Sequence, residues 1–401
     1  MSAANMQILT INAGSSSIKF AVFTPAGLAT PLLSGKIERI GMAGTLLTFV
    51  DKQHNLDGRF QPDCGDHQGA AEFLINWLQQ HIGFEKITAV GHRLVHGWQH
   101  AKPELITPAL LADLRHIIPY APEHLPNEIL LINTLQQQFP KLPQVACFDT
   151  AFHHSLPPVA KLLPIPRRFD ALGIQRYGFH GISYTYLMIA LADRYQNTPL
   201  PQRIILAHLG NGASMAAVLD GRCIDTSMGF TPCGGLVMGS RCGDLDPGVI
   251  HYIKQHENIN SQQCNHLLNH QSGLLGVSEI SADMRDLLPL ENTDQRAAQA
   301  IELFCYQAKK WLGAYSASLH GLDALVFSGG IGENAASVRA KICAGMQYLG
   351  IELEQTRNNN HEDIISIAGG AVTVHVIHSD EEQMIAKMVC ELLMPRETQS
   401  L

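Results

Sequence analysis

Apolar runs of strand length alternate with stretches of helical periodicity along most of the chain. Clusters of Ile, Val and Phe between turn residues predict strands at 7–12, 18–23, 87–90, 144–148, 203–209, 214–219, 324–327 and 372–377. Apolar residues three or four apart predict helices at 70–81, 128–139, about 295–319, about 335–348 and 381–393. This alternation predicts α/β layers, and a hairpin at the start of each half predicts mixed sheets.

The two halves of the chain contain similar hairpins. ILTINAGSSSIKFAVF begins at Ile8 and ILAHLGNGASMAAVLD begins at Ile205, and each consists of an apolar strand, a polar glycine turn and a second apolar strand. Such an internal sequence repeat suggests that the chain contains two duplicated domains. Hairpins of this length also match by chance, so the local pattern leaves both explanations open. Four prolines between residues 157 and 166 interrupt the pattern and predict a domain boundary near residue 150.

The composition excludes several classes of protein. The chain has 401 residues, too many for one ordinary core, so two or three domains are expected. With 46% hydrophobic and 16% charged residues, it is globular rather than disordered. Its net charge is −8, and no basic run exceeds two residues, which argues against a nucleic-acid partner. No apolar run approaches the roughly 20 residues that cross a bilayer, so no membrane partner is expected.

The cysteines and histidines indicate neither disulfides nor zinc. Nine cysteines without C-x-x-C spacing are typical of reduced thiols, and the N-terminus lacks a secretory signal, so a cytoplasmic location is expected. His92 and His96 are four residues apart, as in a helical zinc site. The flanking glycines and the preceding strand argue against a helix there.

Three glycine-rich turns that follow predicted strands are candidates for binding phosphate, at 12–19, 208–212 and 328–334. No Walker A sequence is present, which excludes a P-loop enzyme. The first turn contains S-x-x-K, as in serine acyl-enzymes, but a strand rather than a helix is predicted after it, and a plain hairpin turn explains it as well. The third turn fits G-x-G-x-x-A, with Glu352 and Glu354 about 20 residues further on. That single motif supports a nucleotide site more than a dehydrogenase.

Four residues complete the candidate set. Arg241 lies among several glycines in the irregular stretch 226–248, and long irregular segments in compact domains are usually functional. Its guanidinium would bind phosphate or carboxylate. Arg93 and Asp149 each lie at the end of a predicted strand, and His180 lies between two glycines. Taken singly, each is as often structural as catalytic.

The segments that carry these residues resemble the acetate kinase family in order and spacing. The matching stretches are INAGSSSIKF, GHRLVHG, FDTAFH, RYGFHG, HLGNGAS, TSMGFTP, GSRCGDLDPG, SGGIGEN and SDEE, which run from Ile11 to Glu382. The resemblance implies two duplicated actin-like (ribonuclease H-like) domains, with mixed sheets flanked by helices and an ATP cleft between them. It places one domain in residues 1–150 with a returning helix in 382–401, and the other, which binds nucleotide and forms a homodimer, in 151–381.

The implied reaction is reversible phosphorylation of acetate, or of a related short carboxylate, by ATP through direct in-line transfer, with Mg²⁺ or Mn²⁺ bound. The positions that match the metal site are Asn12 and Glu381. The positions that match catalytic groups are Asp149, His180 and Arg241. The positions that match the acid-binding groups are Arg93, Val95, His124, Phe179 and Pro232. The positions that match nucleotide contacts are Lys19, His208, Leu209, Gly210, Asn211, Gly212, Asp283, Met284, Arg285, Gly330, Ile331, Gly332, Glu333 and Asn334. Because a carboxylate substrate is already ionised, we expect Asp149 to orient the metal or its water rather than to act as a base.

The chain departs from the family pattern mainly around the acyl group. The usual A-P-L-H-N-P reads Ala121–Pro126 here, with Glu123 and Leu125 in place of the leucine and the asparagine. Cys233 and Gly234 replace a more usual Leu-Glu pair, and Met284 stands where phenylalanine is common. These changes leave propionate or another short acid open as the substrate. A non-catalytic ATP-binding switch of the same superfamily is the rival expectation.

Overall fold

The computed structural model describes residues 6–14 and 16–394. Ser15 of the first predicted phosphate turn and residues 395–401, assigned above to the returning segment, lie outside the described residues. The chain divides into two compact units, Met1–Ala151 with Asp380–Leu401 and Phe152–Ser379. Each unit contains one mixed sheet flanked by helices, so the predicted mixed α/β fold is confirmed.

The strands of the two sheets are numbered here in chain order. They are β1 (Gln7–Ala13), β2 (Ser17–Phe23), β3 (Leu33–Glu38), β4 (Leu46–Asp51), β5 (Leu56–Phe60), β6 (Ile87–Leu94), β7 (Glu104–Leu105), β8 (Gln144–Phe148), β9 (Arg203–Leu209), β10 (Ala213–Leu219), β11 (Arg222–Thr226), β12 (Ala324–Ser328) and β13 (Thr373–Val376).

The α-helices are numbered in the same way, and short 3₁₀ turns such as Ala151–Ser155 lie between some of them. They are α1 (His67–His81), α2 (Pro108–His116), α3 (Leu125–Gln138), α4 (Pro158–Lys161), α5 (Arg167–Asp170), α6 (Gly181–Arg194), α7 (Pro247–His256), α8 (Ser261–His270), α9 (Gly273–Ser278), α10 (Met284–Leu287), α11 (Gln295–Ser318), α12 (Gly329–Asn334), α13 (Ala336–Cys343), α14 (Gln355–Asn359) and α15 (Glu381–Leu393). In the described part of the chain, each helix is too short or too polar to span a bilayer.

Five strands of the first sheet, β3-β2-β1-β6-β8, have the same order as the five strands of the second. In the first unit the order is β5-β4-β3-β2-β1-β6-β8-β7, and in the second it is β11-β10-β9-β12-β13. In the first, β1, β2 and β3 are antiparallel neighbours, whereas β6 and β8 continue the sheet parallel to β1. In the second, β9, β10 and β11 are antiparallel, and β12 and β13 are parallel to β9. A three-strand meander followed by two parallel strands therefore occurs in both sheets.

The core of the first unit lies on both faces of its sheet. On one face, Leu74 and Leu78 of α1 are fully buried against strand residues such as Phe20 and Ile37. The helix α15 packs on β1 and β6. Its close approach depends on Gly91 of β6, where a Cβ would lie 2.5 Å from Ile385 Cγ2 and 2.7 Å from Val389 Cγ2. The last helix among the described residues, α15, thus belongs to the unit formed by the first residues.

Several predicted elements differ from those observed. The predicted helix at 335–348 is wrong in its bounds, because it consists of α13 alone, which ends at Cys343. Ala335 adopts φ −108° and ψ 83° at its start, and Gly345 has φ +75° beyond its end, so neither residue continues a helix. The glycine segment before it forms α12 rather than an open turn. The meander β3–β5 and the helix α6 were not predicted.

The tight packing at Gly91 gives a test of the first unit's stability. Adding one methyl group there forces Ile385 and Val389 away from β6, so Gly91→Ala should lower the free energy of unfolding by about 1–3 kcal/mol. Urea unfolding followed by circular dichroism measures this. Gly65→Ala is the control, because a Cβ at Gly65 has no neighbour within 4 Å. Equal stabilities of the two variants would contradict the packing argument.

Candidate active site

Three polar residues lie where three neighbouring strands of the first sheet end. Asn12 lies in β1, Arg93 in β6, and Asp149 directly follows β8. Because β1, β6 and β8 are parallel neighbours, their carboxyl ends share one edge of the sheet. The sequence singled out these residues separately, and the topology brings them together.

Arg93 is the centre of this cluster. Its Nε and Nη2 atoms donate to Asp149 Oδ2 at 3.0 and 2.6 Å, and its Nη1 atom donates to Asn12 Oδ1 at 2.9 Å. The Asp149 side chain is completely buried, whereas 16% of the Arg93 side chain is exposed. Burial alone would lower the pKa of the Arg93 guanidinium, but the charges of Asp149 and Glu381 raise it above its ordinary value. Arg93 therefore stays protonated in its buried position.

The first residues of α15 complete the cluster. Asn12 Nδ2 donates to Glu381 Oε2 at 2.8 Å and to Glu382 Oε1 at 3.2 Å. Arg93 Nε lies 3.8 Å from Glu381 Oε2. Lys19 of β2 is the cross-strand partner of Asn12. Burial raises the pKa of Glu382, and the positive charge of Lys19 opposes that rise.

The formal charges of this cluster favour an added cation. Asp149, Glu381 and Glu382 contribute three negative charges, against two positive charges on Arg93 and Lys19. One net negative charge therefore remains on a largely buried surface. An uncompensated charge of this kind is costly, and a divalent cation would reverse its sign.

The donor atoms fit Mg²⁺ or Mn²⁺. Asn12, Asp149, Glu381 and Glu382 supply amide and carboxylate oxygens, which these cations prefer. Among the described residues, no group of three or more His, Cys, Asp or Glu side chains is placed so that it could hold a metal ion. Mg²⁺ does not require three protein carboxylates, because it usually binds one or two and completes its shell with water and substrate phosphates. The cluster can therefore hold the expected metal.

A further buried carboxylate lies beside this edge. Glu128 of α3 is 2% exposed, and both its oxygens accept the backbone N–H of Val95, which follows β6, at 3.2 Å. Burial raises the pKa of Glu128 to about 8, although the charge of Arg93 opposes the shift. His124, which precedes α3, is half-buried. Sequence reasoning missed Glu128, because nothing in the local pattern links α3 to the end of β6.

The second unit contains a cavity of about 890 Å³, within the range of small-molecule sites. Eight of its lining residues were predicted as nucleotide contacts: Gly210, Asn211, Asp283, Met284, Arg285, Gly330, Ile331 and Asn334. Its other lining residues, which sequence reasoning missed, are Ser281, Ala282, Leu288 and Ala335. Ala282 and Ala335 are chain neighbours of predicted contacts, Ser281 lies two residues before Asp283, and Leu288 lies one helical turn after Met284. Proximity in the sequence could therefore have found them.

The remaining predicted nucleotide positions do not line this cavity. They are Lys19 in the first unit and, in the second, His208, Leu209, Gly212, Gly332 and Glu333. Glu333 contacts the backbone instead: its Oε1 atom accepts the backbone N–H groups of Gly329 at 2.8 Å and Ser379 at 3.1 Å. Leu209 is fully buried in β9.

His180 and Arg241 meet at the turn between β9 and β10. A Cβ on Gly212 of that turn would lie 3.3 Å from His180 Nε2 and 3.8 Å from Arg241 Nη1. His180 has φ 59° before α6, and its Nδ1 atom is 2.8 Å from Ser214 Oγ. Its ring lies 4.5 Å from that of His208. Two side chains that can donate to an anion therefore converge on a glycine turn.

The predicted acid-binding residues of the second unit are held by backbone contacts. Phe179 is 1% exposed, and its carbonyl oxygen is 2.8 Å from His153 Nε2. The Pro232 carbonyl accepts from Arg241 Nη1 at 2.9 Å. These contacts fix the loops on which both residues lie.

The residues that depart from the family pattern take different positions. Glu123 is exposed, whereas Leu125 is fully buried as the first residue of α3. Met284 is buried and lines the cavity. Cys233 is half-buried, and a Cβ on Gly234 would lie 3.4 Å from Asp244 Oδ1.

The two histidines considered for zinc serve other purposes. His92 Nε2 lies 2.7 Å from Gln144 Oε1, and His96 Nδ1 accepts the backbone N–H of Trp98 at 3.0 Å. Both are buried, and burial lowers the pKa of each to about 4. They lie in or just after β6 rather than on a helix, as expected.

The raised pKa of Glu128 predicts a pH effect on stability. A carboxyl group ionises near pH 4.5 in the unfolded chain but near 8 in the folded one, so folding loses roughly 1 kcal/mol per pH unit between these values. Glu128→Gln removes this loss. The melting temperature of the variant minus that of the parent should therefore rise with pH up to about 8 and then level off. Glu123→Gln, the same change on an exposed residue, is the control, and a pH-independent difference for Glu128→Gln would contradict the prediction.

Known proteins resemble this chain over nearly its whole length. The acetokinase family matches residues 7–387. The acetate kinase of Rhodopseudomonas palustris is 42% identical over 391 residues, covering 96% of this chain and 98% of that protein. A propionate kinase of Salmonella typhimurium is 41% identical, with 97% of each chain covered.

Solved structures give the same result. The propionate kinase of Francisella tularensis has a TM-score of 0.89 at 38% identity, covering 96% of this chain and 98% of that one. The acetate kinase of Porphyromonas gingivalis has a TM-score of 0.85 at 36% identity, covering 95% and 98%. The chain therefore belongs to the acetokinase family.

Proposed function

We propose that this protein transfers the γ-phosphoryl group of ATP to a short-chain carboxylate, reversibly, and forms an acyl phosphate and ADP. The observation that carries this proposal is the similarity to acetate and propionate kinases over nearly the whole chain. The Arg93 cluster, the His180–Arg241 pair and the cavity supply groups suited to that chemistry. A non-catalytic switch is not favoured, because nucleotide binding alone requires none of the charged clusters.

The reaction brings anions together, so the protein must supply positive charge and positioning more than covalent help. Arg93 is suited to the carboxylate. Within the described residues, three of its five N–H groups donate to Asp149 and Asn12. The other two would hold the substrate carboxylate, and Val95 and His124 would lie near its acyl group.

The first role of Asp149 would be to orient the guanidinium of Arg93. Its Oδ2 atom accepts two of the guanidinium N–H groups, which fixes the direction in which the others point. Asp149 need not remove a proton, because the substrate acid is ionised at neutral pH. We retain the expectation that it also orients the metal or its water.

Phosphate groups would be bound in the second unit. His180 and Arg241 face the Gly212 turn and would donate to the transferring phosphoryl oxygens as their charge spreads. Asn211, Gly330 and other residues that line the cavity would hold the nucleoside end of ATP. The metal, held by Asn12 and Glu381, would neutralise phosphate charge.

We also propose the domain arrangement implied by the resemblance, with 1–150 and 382–401 as one actin-like domain and 151–381 as a duplicate of it. The shared strand order supports duplication. A homodimer formed by the second domain is supported by α7, which has no fully buried residue and exposes the large side chains of Val249 and Tyr252. Nine free thiols are consistent with a cytoplasmic location.

The preferred acid is a separate matter. Relatives named for acetate and for propionate are equally similar to this chain, at 42% and 41% identity. The ratio of kcat/KM values for the two acids measures the preference. One extra methylene in an apolar pocket typically changes such a ratio by about 10–200-fold.

The activity itself is tested by trapping the product. Incubation of the protein with ATP, Mg²⁺, hydroxylamine and acetate, propionate or butyrate should give an acyl hydroxamate with at least one acid. Omitting ATP is the control. Failure with every short acid would refute the proposed function.

The role of Asp149 is tested by Asp149→Asn, which keeps the size of the side chain but removes its charge. We expect kcat to fall on the order of 10²-fold and KM for the acid to rise, because Arg93 loses the charge that aims it. The measurement is repeated over a range of Mg²⁺ concentrations. A kcat deficit that is the same at every Mg²⁺ concentration would contradict a role at the metal, and an unchanged KM for the acid would contradict the role at Arg93.

A further inference from the structure

Two cysteines lie side by side next to Arg241. The sulfur atoms of Cys233 and Cys242 are 3.8 Å apart, and both side chains are half-buried rather than enclosed. Cys233 directly follows Pro232, whose carbonyl binds Arg241, and Cys242 directly follows Arg241 itself. The pair therefore belongs to the segments that hold this arginine.

The backbone on either side fixes the two segments together. Arg241 Nη1 donates to the Pro232 carbonyl at 2.9 Å on one side of the pair. On the other side, the backbone N–H of Gly235 donates to Asp244 Oδ1 at 2.8 Å, and that of Asp244 donates to the Gly235 carbonyl at 3.0 Å. The glycine at 243, with φ +74°, lies so close that a Cβ would be 2.7 Å from the carbonyl oxygen of Gly235. The segments are thus held in contact around the two thiols.

The two thiols differ chemically. The hydrogen bond from Cys242 and the positive charge of Arg241 outweigh burial and lower the pKa of Cys233 to about 7. The same contact raises the pKa of Cys242, whose thiol also donates to the Gly243 carbonyl at 3.1 Å. Cys233 is therefore the nucleophile, because the thiolate is the reactive form.

We propose that Cys233 and Cys242 are a modification site at which a peroxide forms a disulfide that inhibits phosphoryl transfer. The Cys233 thiolate attacks one oxygen of hydrogen peroxide, breaks the O–O bond and releases hydroxide, which leaves a sulfenic acid. The sulfur of Cys242 then attacks that of Cys233, the S–O bond breaks, and the hydroxyl group leaves as water with the Cys242 proton. Two thiols are oxidised, and one peroxide is reduced to two waters.

The inhibition follows from the position of the bond and rests on the proposed role of Arg241. A disulfide requires about 2.0 Å between the sulfurs, so they must approach by almost 2 Å. That movement pulls on Pro232 and Arg241, the chain neighbours of the two cysteines. Because the Pro232 carbonyl holds Arg241 Nη1, the Arg241 guanidinium moves with them. A displacement of about 1 Å at a catalytic group can cost on the order of 10²-fold in rate.

The other cysteines are poor competitors for the peroxide. Cys147, Cys223, Cys305 and Cys343 are buried, and burial raises the pKa of each thiol. Burial also raises the pKa values of the half-buried Cys64 and Cys390. The remaining cysteine, Cys264, is buried, with 3% of its surface exposed.

Peptide mapping tests the cross-link without reference to activity. The full chain is reduced, desalted, treated with a small excess of hydrogen peroxide, alkylated and digested with trypsin. Because trypsin cleaves after Arg241, the two cysteines fall in different peptides, 223–241 and 242–254, which a disulfide joins. We expect the joined peptide in the parent and in the control Cys64→Ser. The joined peptide should be absent after treatment with dithiothreitol and absent from Cys233→Ser. Because peptide 223–241 contains both Cys223 and Cys233, this variant shows which of the two is cross-linked. No joined peptide in the parent, or its persistence in Cys233→Ser, would overturn the proposed site.

The acyl hydroxamate assay on the same samples tests the inhibition. Peroxide should lower the activity of the parent by tenfold or more, and dithiothreitol should restore it. Cys242→Ser, compared with its own untreated sample, should lose less than twofold. A parent that is cross-linked but fully active would overturn the inhibition. A reduced parent without activity towards any short acid would refute the proposed function instead, while the peptide map still decides the cross-link.

Discussion

The first unit depends on the burial of one positive charge at the carboxyl ends of three parallel strands in its mixed sheet. Arg93 is held there by Asp149 and Asn12 because β6 lies between β1 and β8, so all three residues reach one edge. A buried guanidinium is tolerated only when it is paired. This requirement also explains why the last helix joins the first strands: its first turn carries Glu381, and Gly91 lets the helix approach the sheet closely.

Backbone rather than charge organises the loops around the cavity of the second unit. At Gly329, φ is +77° and a Cβ would lie 2.7 Å from the Leu209 carbonyl, so glycine alone lets α12 start directly after β12. At Gly239, a Cβ would overlap Asn211 Oδ1 at 1.9 Å. Glycines thus allow the loops beside the cavity to approach one another, which is why glycine-rich segments marked this site in the sequence.

Sequence reasoning singled out residues that the fold brings together where a residue's chemistry and its place at a strand end coincide, as for Asn12, Arg93 and Asp149. It failed where the signal is not local. The strand β3 was missed because its sequence, LSGKIE, has no regular alternation and is ordered by pairing with β2 and β4. Glu128 and the Cys233–Cys242 contact depend on segments that the fold brings together, and no spacing along the chain indicates such contacts.

The carboxyl groups near Arg93 cannot all carry charge at once. Four of them, on Glu128, Asp149, Glu381 and Glu382, surround or adjoin one arginine, and four charges would leave the buried edge strongly negative. The raised pKa of Glu128, about 8, keeps that group neutral at pH 7. With Glu128 neutral, three carboxylates face the two positive charges of Arg93 and Lys19, which leaves one net negative charge. One bound divalent cation would convert it into one net positive charge. Under the proposed function, the edge would then attract an anionic acid, which it would otherwise repel. The protonation of Glu128 would thus help a carboxylate-rich cluster to bind a carboxylate.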